Sequence, residues 1–431
     1  MIRRWAKKLK ESLWLTPAVI SLLSFALALV VGILDSEIYI SLSDHLPPIM
    51  LTSVELSRTI LGVIAGALIT MTVFTFSTTM VVLTTYSSQF SPRVVKNFLM
   101  DENTMKTLGI FMGGFIYSIM TLAYMRNGVG SNTVIAAMIG ILYILFCLIH
   151  FLKYINHVSS YIQMNNLIDR LLKEAMEEIG DYKIFLKKGI IEQNLSILKK
   201  LPTRDISVNK NGYIQYIDYD KLIRISKDHG VHIVVNKIPG IFITESTPVI
   251  SIFAQGEIIK DQTIDDELRA CFDVGKEHAQ KQDFVYPIQK ISEIAVRAIS
   301  PGINDPNTAI HCLHIMGTLL AEAASIEKGY LVIAKEEKIL GAFEVVDFAQ
   351  VLYHCFYQII HYGKEDISVM VGLLRALRIV QESASVDNKE LLKEFIDYLW
   401  EKINPEGKVD FERRWLENER NKLNHKSSPE K

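Results

Sequence analysis

The run TILGVIAGALITMTVFTFSTTMVVLTTYSSQFSP, Thr59–Pro92, holds 34 residues and no charged side chain. At ~1.5 Å rise per residue, one helix of that length reaches ~50 Å, well past the ~30 Å hydrocarbon core of a bilayer. It reads as a membrane helix that tilts, bends or projects beyond the apolar layer. Thr52-Ser-Val-Glu55 just before it reads as a capping box, so the helix is expected to start early. At ~100° per residue, Thr59, Gly66, Thr70, Ser77, Thr84 and Ser88 fall on one stripe, with Val73 and Val81 near it. Thr72, Thr75 and Thr79 form a second patch on the opposite side. The stripe has two readings. Small and hydroxylated residues let membrane helices pack closely, and hydroxyls also bond their own backbone carbonyls. Alternatively, the stripe lines a polar pathway in an oligomer. The absence of charge in the run counts against a proton or ion pump.

Working outward, three more apolar runs are long enough to span a bilayer: Pro17–Leu34, about Thr107–Met125 and about Thr133–Leu152. Thr16 and Pro17 suit a helix start. The first run follows Arg3, Arg4, Lys7, Lys8 and Lys10, as a signal peptide would. Its Ala-x-Ala, Ala26–Ala28, lies inside the run rather than after it, so an uncleaved anchor is expected. Lys and Arg in alternate flanks set the orientation. The N-terminal arm, Arg93, Lys96 and Lys106, and Lys153, Arg170 and Lys173 give 11, against only Arg58 and Arg126 in the other two loops. Both termini and the large C-terminal part are therefore expected in the cytoplasm.

This split explains a composition that is otherwise contradictory. The chain has 431 residues, is 22% charged and yet has a mean hydropathy of +0.21. Residues 1–152 hold 10 Lys/Arg and 7 Asp/Glu, whereas residues 153–431 hold 36 and 41. The composition excludes disorder and a disulfide scaffold, and the net charge of −2 excludes a strongly basic nucleic-acid binder. The four cysteines are isolated, with no Cys-x-x-Cys pair. The expected fold is thus a four-helix transmembrane domain, 1–152, on a cytoplasmic α+β region. That region divides into a helical connector (153–202), a small β-rich module (203–262), a helical domain (263–410) and a charged tail (411–431), read as a solvated helix.

After the long helix, Ser91 and Pro92 start a short helix with Val94, Val95, Phe98 and Leu99 on one face. Arg93 and Lys96 either anchor it in the headgroups or ring an entrance that attracts anions. In the β-rich stretch, Gly212–Ile217, Val231–Val235, Ile241–Ile243 and Val249–Ile252 have strand texture, and Tyr219–Asp228 suits a short helix. This rhythm resembles the small barrel of biotinyl and lipoyl domains. No Asp-Lys-Ala or Met-Lys-Met tripeptide is present to carry a prosthetic group, so a swinging-arm role is rejected. Tyr330–Leu340 suits a strand hairpin, and further helices fit Phe343–Tyr362, Glu365–Ser383 and Asn388–Lys402.

Ser300-Pro301-Gly302-Ile303-Asn304-Asp305-Pro306 separates two helical runs. Asp305 suits an N-cap and Pro306 the first helical position. The corner is either structural or a polar ligand site at exposed N–H groups. His311 and His314, and His354 and His361, share helix faces, but no carboxylate or cysteine completes a metal motif. There is no phosphate loop, nucleophile elbow or dinucleotide fingerprint. No catalytic residue, metal or cofactor is expected, and enzymatic activity is unsupported.

Ser87-Ser-Gln-Phe-Ser-Pro-Arg93 and Arg297-Ala-Ile-Ser-Pro-Gly-Ile-Asn-Asp-Pro306 resemble a family of predicted bacterial membrane proteins, domain of unknown function 2254. Asn97–Asp101, Gly212–Asp218 and Phe356–Gly363 match further, in the family's order, over nearly the whole chain. The run before the first motif is richer in threonine here, through Thr75, Thr78, Thr79, Thr84 and Thr85. The resemblance implies a multi-pass inner-membrane protein and supplies no activity or ligand.

Three functions follow. The first is an oligomeric channel-like or passive transport protein with a cytoplasmic regulatory part. Four helices without an internal repeat are few for a monomeric transporter, so its path would lie between subunits. The second is a membrane-anchored sensor or scaffold, and the third an enzyme using the Ser300–Thr308 corner. The first is favoured. Its partners are the lipid bilayer, further copies of the chain and an unidentified small ligand or ion.

Overall fold

A computed structural model describes residues 14–35, 47, 50–89, 102–125, 133–161, 164–196, 198, 201–254, 262–278, 281–335 and 338–425. Two compact units divide at Leu167/Ile168. The N-terminal unit carries four helices long and apolar enough to cross a membrane: α1 (Leu15–Asp35), α2 (Val54–Gln89), α3 (Glu102–Tyr124) and α4 (Ala136–Tyr161). In α3, 56% of the most apolar window is buried, against 22–28% in the other three, so α3 is the central helix of the bundle.

Glycine makes that centre. A Cβ on Gly109 would lie 2.9 Å from the Pro17 backbone, and one on Gly113 would lie 2.5 Å from the Ser24 hydroxyl. Helices α1 and α3 therefore approach more closely than any side chain at those positions permits. Phe111, Leu68, Ile64, Ile110 and Cys147 form one buried cluster, and Tyr117, Leu61, Ala28, Val31 and Ala136 another. The Asp35 carboxylate accepts from the Ile135 and Ala136 amides, at 2.9 and 3.2 Å, and so satisfies orphan donors at the start of α4. Arg58 donates to the Met125 carbonyl at 2.6 Å at the same end. Helix α2 begins one residue later than the capping-box reading implies. Thr52 and Ser53 form a two-residue strand, β1, paired with β2 (Thr133–Val134), and Ser53 accepts from the Leu56 amide.

The C-terminal unit starts within α5 (Met164–Leu186), whose Ile168, Leu171, Ala175 and Ile179 are buried at helical spacing. Strand β3 (Ile190–Glu192) then opens a six-stranded sheet, joined by β4 (Thr203–Ser207), β6 (His232–Val235), β8 (Pro248–Phe253), β10 (Tyr330–Lys335) and β11 (Lys338–Glu344). The order is β3-β10-β11-β6-β8-β4, antiparallel except for β11–β6. A second sheet, β7-β5-β9, pairs Phe242–Ile243, Gly212–Ile217 and Phe272–Gly275. Among the described residues, stretch 203–262 thus forms no closed barrel of its own and shares both its sheets with strands from outside it. The large sheet takes β3, β10 and β11 from outside it, and the small sheet takes β9. The parallel β6–β11 pairing crosses about a hundred residues, a contact that local strand texture does not encode.

Helix α6 (Tyr219–His229) is capped by Asp218 and ended by Gly230, which is left-handed at φ 65°. Helix α7 (Gln262–Arg269) is fixed to β4 by a bidentate Arg204–Asp265 pair at 2.6 and 2.7 Å. The rest is a helical layer: α8 (Val285–Ala298), α9 (Pro306–Ala323), α10 (Phe348–Gly363), α11 (Ile367–Ser383), α12 (Val386–Ile403) and α13 (Asp410–His425). The sequence expectation of a solvated tail is corrected at α13. Leu416, Leu423 and Glu419 are buried, and Glu419 meets Arg375, Arg378 and Lys422 at 3.1, 3.6 and 3.0 Å. The charge density of this helix masks one buried edge.

Candidate functional site

The surface of α2 divides into two arcs. Thr75 and Thr79 face inward and are buried with Leu61, Ile64, Leu68 and Val82. Thr79 and the Tyr154 hydroxyl are hydrogen-bonded at 2.8 Å, and Tyr154 donates to the Thr75 carbonyl at 2.9 Å, which ties α2 to α4. The opposite arc is exposed. At ~100° per residue, Thr59, Gly66, Thr70, Ser77 and Thr84 run down its centre. Val63, Phe74 and Val81 flank them on one side, and Ile69, Val73, Phe76 and Met80 on the other, all exposed. Thr59, Thr70 and Thr84 donate to the carbonyls of Glu55, Gly66 and Val81 in their own helix. A Cβ on Gly62 or Gly66 would meet nothing within 4 Å. Among the described residues, the inward threonine patch therefore does the packing and the outward stripe does not. Ser88 lies on the last turn of α2, and its side chain is outside the described part. Arg93, Lys96 and the short helix expected around them also lie outside the described residues.

At the 300–306 corner, the Asp305 carboxylate caps α9. It accepts from the Thr308 amide at 3.1 Å and the Thr308 hydroxyl at 2.6 Å. Those bonds hold its pKa below the ordinary carboxylate value. Ser300 donates to the Arg297 carbonyl, and the Asp305 amide donates to the Ala298 carbonyl. Asn304 is left-handed at φ 51°, which turns the chain between α8 and α9. Pro301, Gly302 and Asn304 are exposed, and Pro306 opens the helix as expected. Each of these contacts serves the turn.

Two cavities went unnoticed in the sequence. One, of about 800 Å³, lies among the ends of α1, α3 and α4. The other, of about 490 Å³, lies in the C-terminal unit, with Tyr182, Phe185 and Tyr219 as aromatic wall and Glu178, Asp181 and Asp218 among its carboxylates. There, Gln282 is held left-handed at φ 63°. Its side chain bonds both the amide and the carbonyl of Ile217, and its own amide donates to Glu178 at 2.7 Å. Burial raises the Glu178 pKa against that hydrogen bond. Nothing local marks Gln282 in the sequence, since its conformation is imposed by partners over sixty residues away. The lining of the first cavity does carry a signal: Asn103, Lys106 and Thr107, and His150, Lys153 and His157, each share a helix face.

The profile of a family described as "Predicted membrane protein (DUF2254)" matches residues 10–379. The chain is similar to an uncharacterized protein of Mycobacterium bovis and to one of Mycobacterium tuberculosis, each 24% identical over 341 residues. The alignments cover 76% of this chain and 64% of each relative, so the chain spans under two thirds of their length. No solved structure matches the chain. With a family profile covering most of its length and four helices fit to cross a bilayer, this chain belongs to the DUF2254 family of predicted membrane proteins.

Proposed function

We propose that the protein assembles through the outward face of α2 into a homo-oligomeric, channel-like or passive transport protein of the inner membrane. Its termini and C-terminal unit lie in the cytoplasm, where the unit regulates the pathway. One observation carries the reading: the glycine–hydroxyl stripe is centred on the exposed arc of α2 and packs against nothing else among the described residues. Lipid-facing positions favour larger apolar side chains, whereas close helix contacts and polar pathways use Gly, Ser and Thr. The basic flanks support the orientation.

The test is reconstitution into liposomes with flux assays for potassium, sodium and chloride. Flux is expected, and it should fall when Thr70, Ser77 and Thr84 are changed together to Leu. A tight bilayer, or flux indifferent to the triple variant, sinks the channel reading. The aromatic and carboxylate-lined cleft favours a second reading, a membrane-anchored sensor that binds its ligand there. That reading expects silent liposomes.

A further inference from the structure

Among the described residues, the charged side chains that line the 800 Å³ cavity of the N-terminal unit are both lysines. Lys106 of α3 and Lys153 of α4 both line it, with His150 and His157 beside Lys153. Among the described residues no carboxylate lines it. Thr16 and Asn103, in the first turns of α1 and α3, also line it, so two helix N-termini add their positive ends, and Ser160 brings in the last turn of α4. Asn156 supplies a further amide donor. Val19, Ile20 and Ile110 make an apolar wall on one side, and Thr107, Tyr154 and Ser160 complete the lining.

That wall does not end at the cavity. Val19 and Leu23 are one helical turn apart on α1 and are 47% and 65% exposed, with Leu22 at 68%. A strip of exposed aliphatic surface therefore leads from the cationic cavity along the apolar span of α1. A soluble anion would use only the cationic part. An amphiphile uses both, with its phosphate against the lysines and an acyl chain along Val19 and Leu23. Basic pockets between membrane helices, at the end where the Lys/Arg excess lies, suit such headgroups.

We propose that this cavity is a binding site for a phosphate ester, and that its source is an anionic glycerophospholipid of the surrounding membrane. The site requires only that α1, α3 and α4 lie in a bilayer, and it stands whether or not the protein conducts.

Native mass spectrometry of the full chain, released from detergent, tests this with added phosphatidylglycerol, phosphatidylcholine and inorganic phosphate. Phosphatidylglycerol is expected to bind more tightly than phosphatidylcholine. K106Q and K153Q should each weaken it about fivefold, and K106R/K153R should retain it. Both lysines are exposed, and an unchanged melting temperature without lipid would show that the variants fold. Equal binding of the two lipids, or wild-type affinity in K106Q/K153Q, overturns the site. Displacement of phosphatidylglycerol by low millimolar inorganic phosphate overturns the lipid source.

Discussion

Two glycines in the membrane unit should respond oppositely to one substitution. In Gly113→Ala, the new Cβ lands 2.5 Å from the Ser24 hydroxyl and 2.8 Å from that of Tyr143. Those hydroxyls are bonded to each other at 2.9 Å, and Tyr143 also reaches the Ile110 carbonyl at 3.2 Å. The methyl must push α1 or α4 away or break this junction. Overpacking costs about 1–3 kcal/mol and a lost buried hydrogen bond about 1 kcal/mol. Replacing Gly by Ala inside a helix returns roughly 1 kcal/mol. The net expectation is a loss of about 1–3 kcal/mol. In Gly66→Ala the methyl meets nothing within 4 Å, so only the helix-propensity gain of about 1 kcal/mol remains. SDS-titrated unfolding of monomeric protein in mixed micelles, followed by circular dichroism, measures both. A Gly113→Ala protein as stable as wild type, or equal losses in the two variants, would refute the arrangement of α1, α3 and α4 around the central glycines. The same Gly66→Ala protein carries a second readout. If its monomer is intact but its association in bilayers is weakened, the loss belongs to a neighbouring copy.

Two further outcomes concern the C-terminal unit. Burial would raise the Glu419 pKa, but hydrogen bonds from Lys422 and Arg375 outweigh it and hold the carboxyl below its ordinary value. A lowered folded pKa adds stability above the unfolded value of 4.5, and that stability is lost as pH falls through the folded value. Glu419→Gln should therefore melt earlier than wild type at pH 7 and converge with it near pH 3. The expected cost is about 1–3 kcal/mol, because the cationic partners remain partly solvated. A constant difference at both pH values would exclude an ionic role. Burial also pushes Cys271 up to about 11 and Cys312 and Cys355 up to about 12. At pH 7.5 a maleimide should leave all three unmodified in the folded chain and label them after denaturation, as read by peptide mass spectrometry. Rapid native labelling of Cys312 or Cys355 would contradict their burial.

Much of the fold was legible because its signals are local. Uninterrupted apolar length marks α1 to α4, since backbone groups in lipid must be satisfied within the helix itself. Asp305-Pro306 marks the start of α9 because both residues act within one turn. The limits of the β region were not legible. Strand texture marked β5, β6 and β8, but the sheets are completed by β3, β9, β10 and β11 from outside that stretch. The buried edge of α13 was hidden because Glu419 is a charged residue that its distant partners Arg375 and Arg378 help to bring inside.

The α2 stripe shows the same division. Periodicity alone placed Thr59, Gly66, Thr70, Ser77 and Thr84 on one line and Thr72, Thr75 and Thr79 on another, because 100° per residue is a property of the helix itself. It could not say which line faced the bundle, since that depends on where α3 and α4 stand. The tertiary structure decided it: Tyr154 of α4 bonds Thr79, Leu61 and Leu68 fill the core, and the glycine–hydroxyl line is left outward. Sequence by itself determined four spans and their charge asymmetry, because hydropathy is additive along the chain. The inward and outward faces, and the cavity that gathers Lys106 and Lys153 from separate helices, arise only where helices meet.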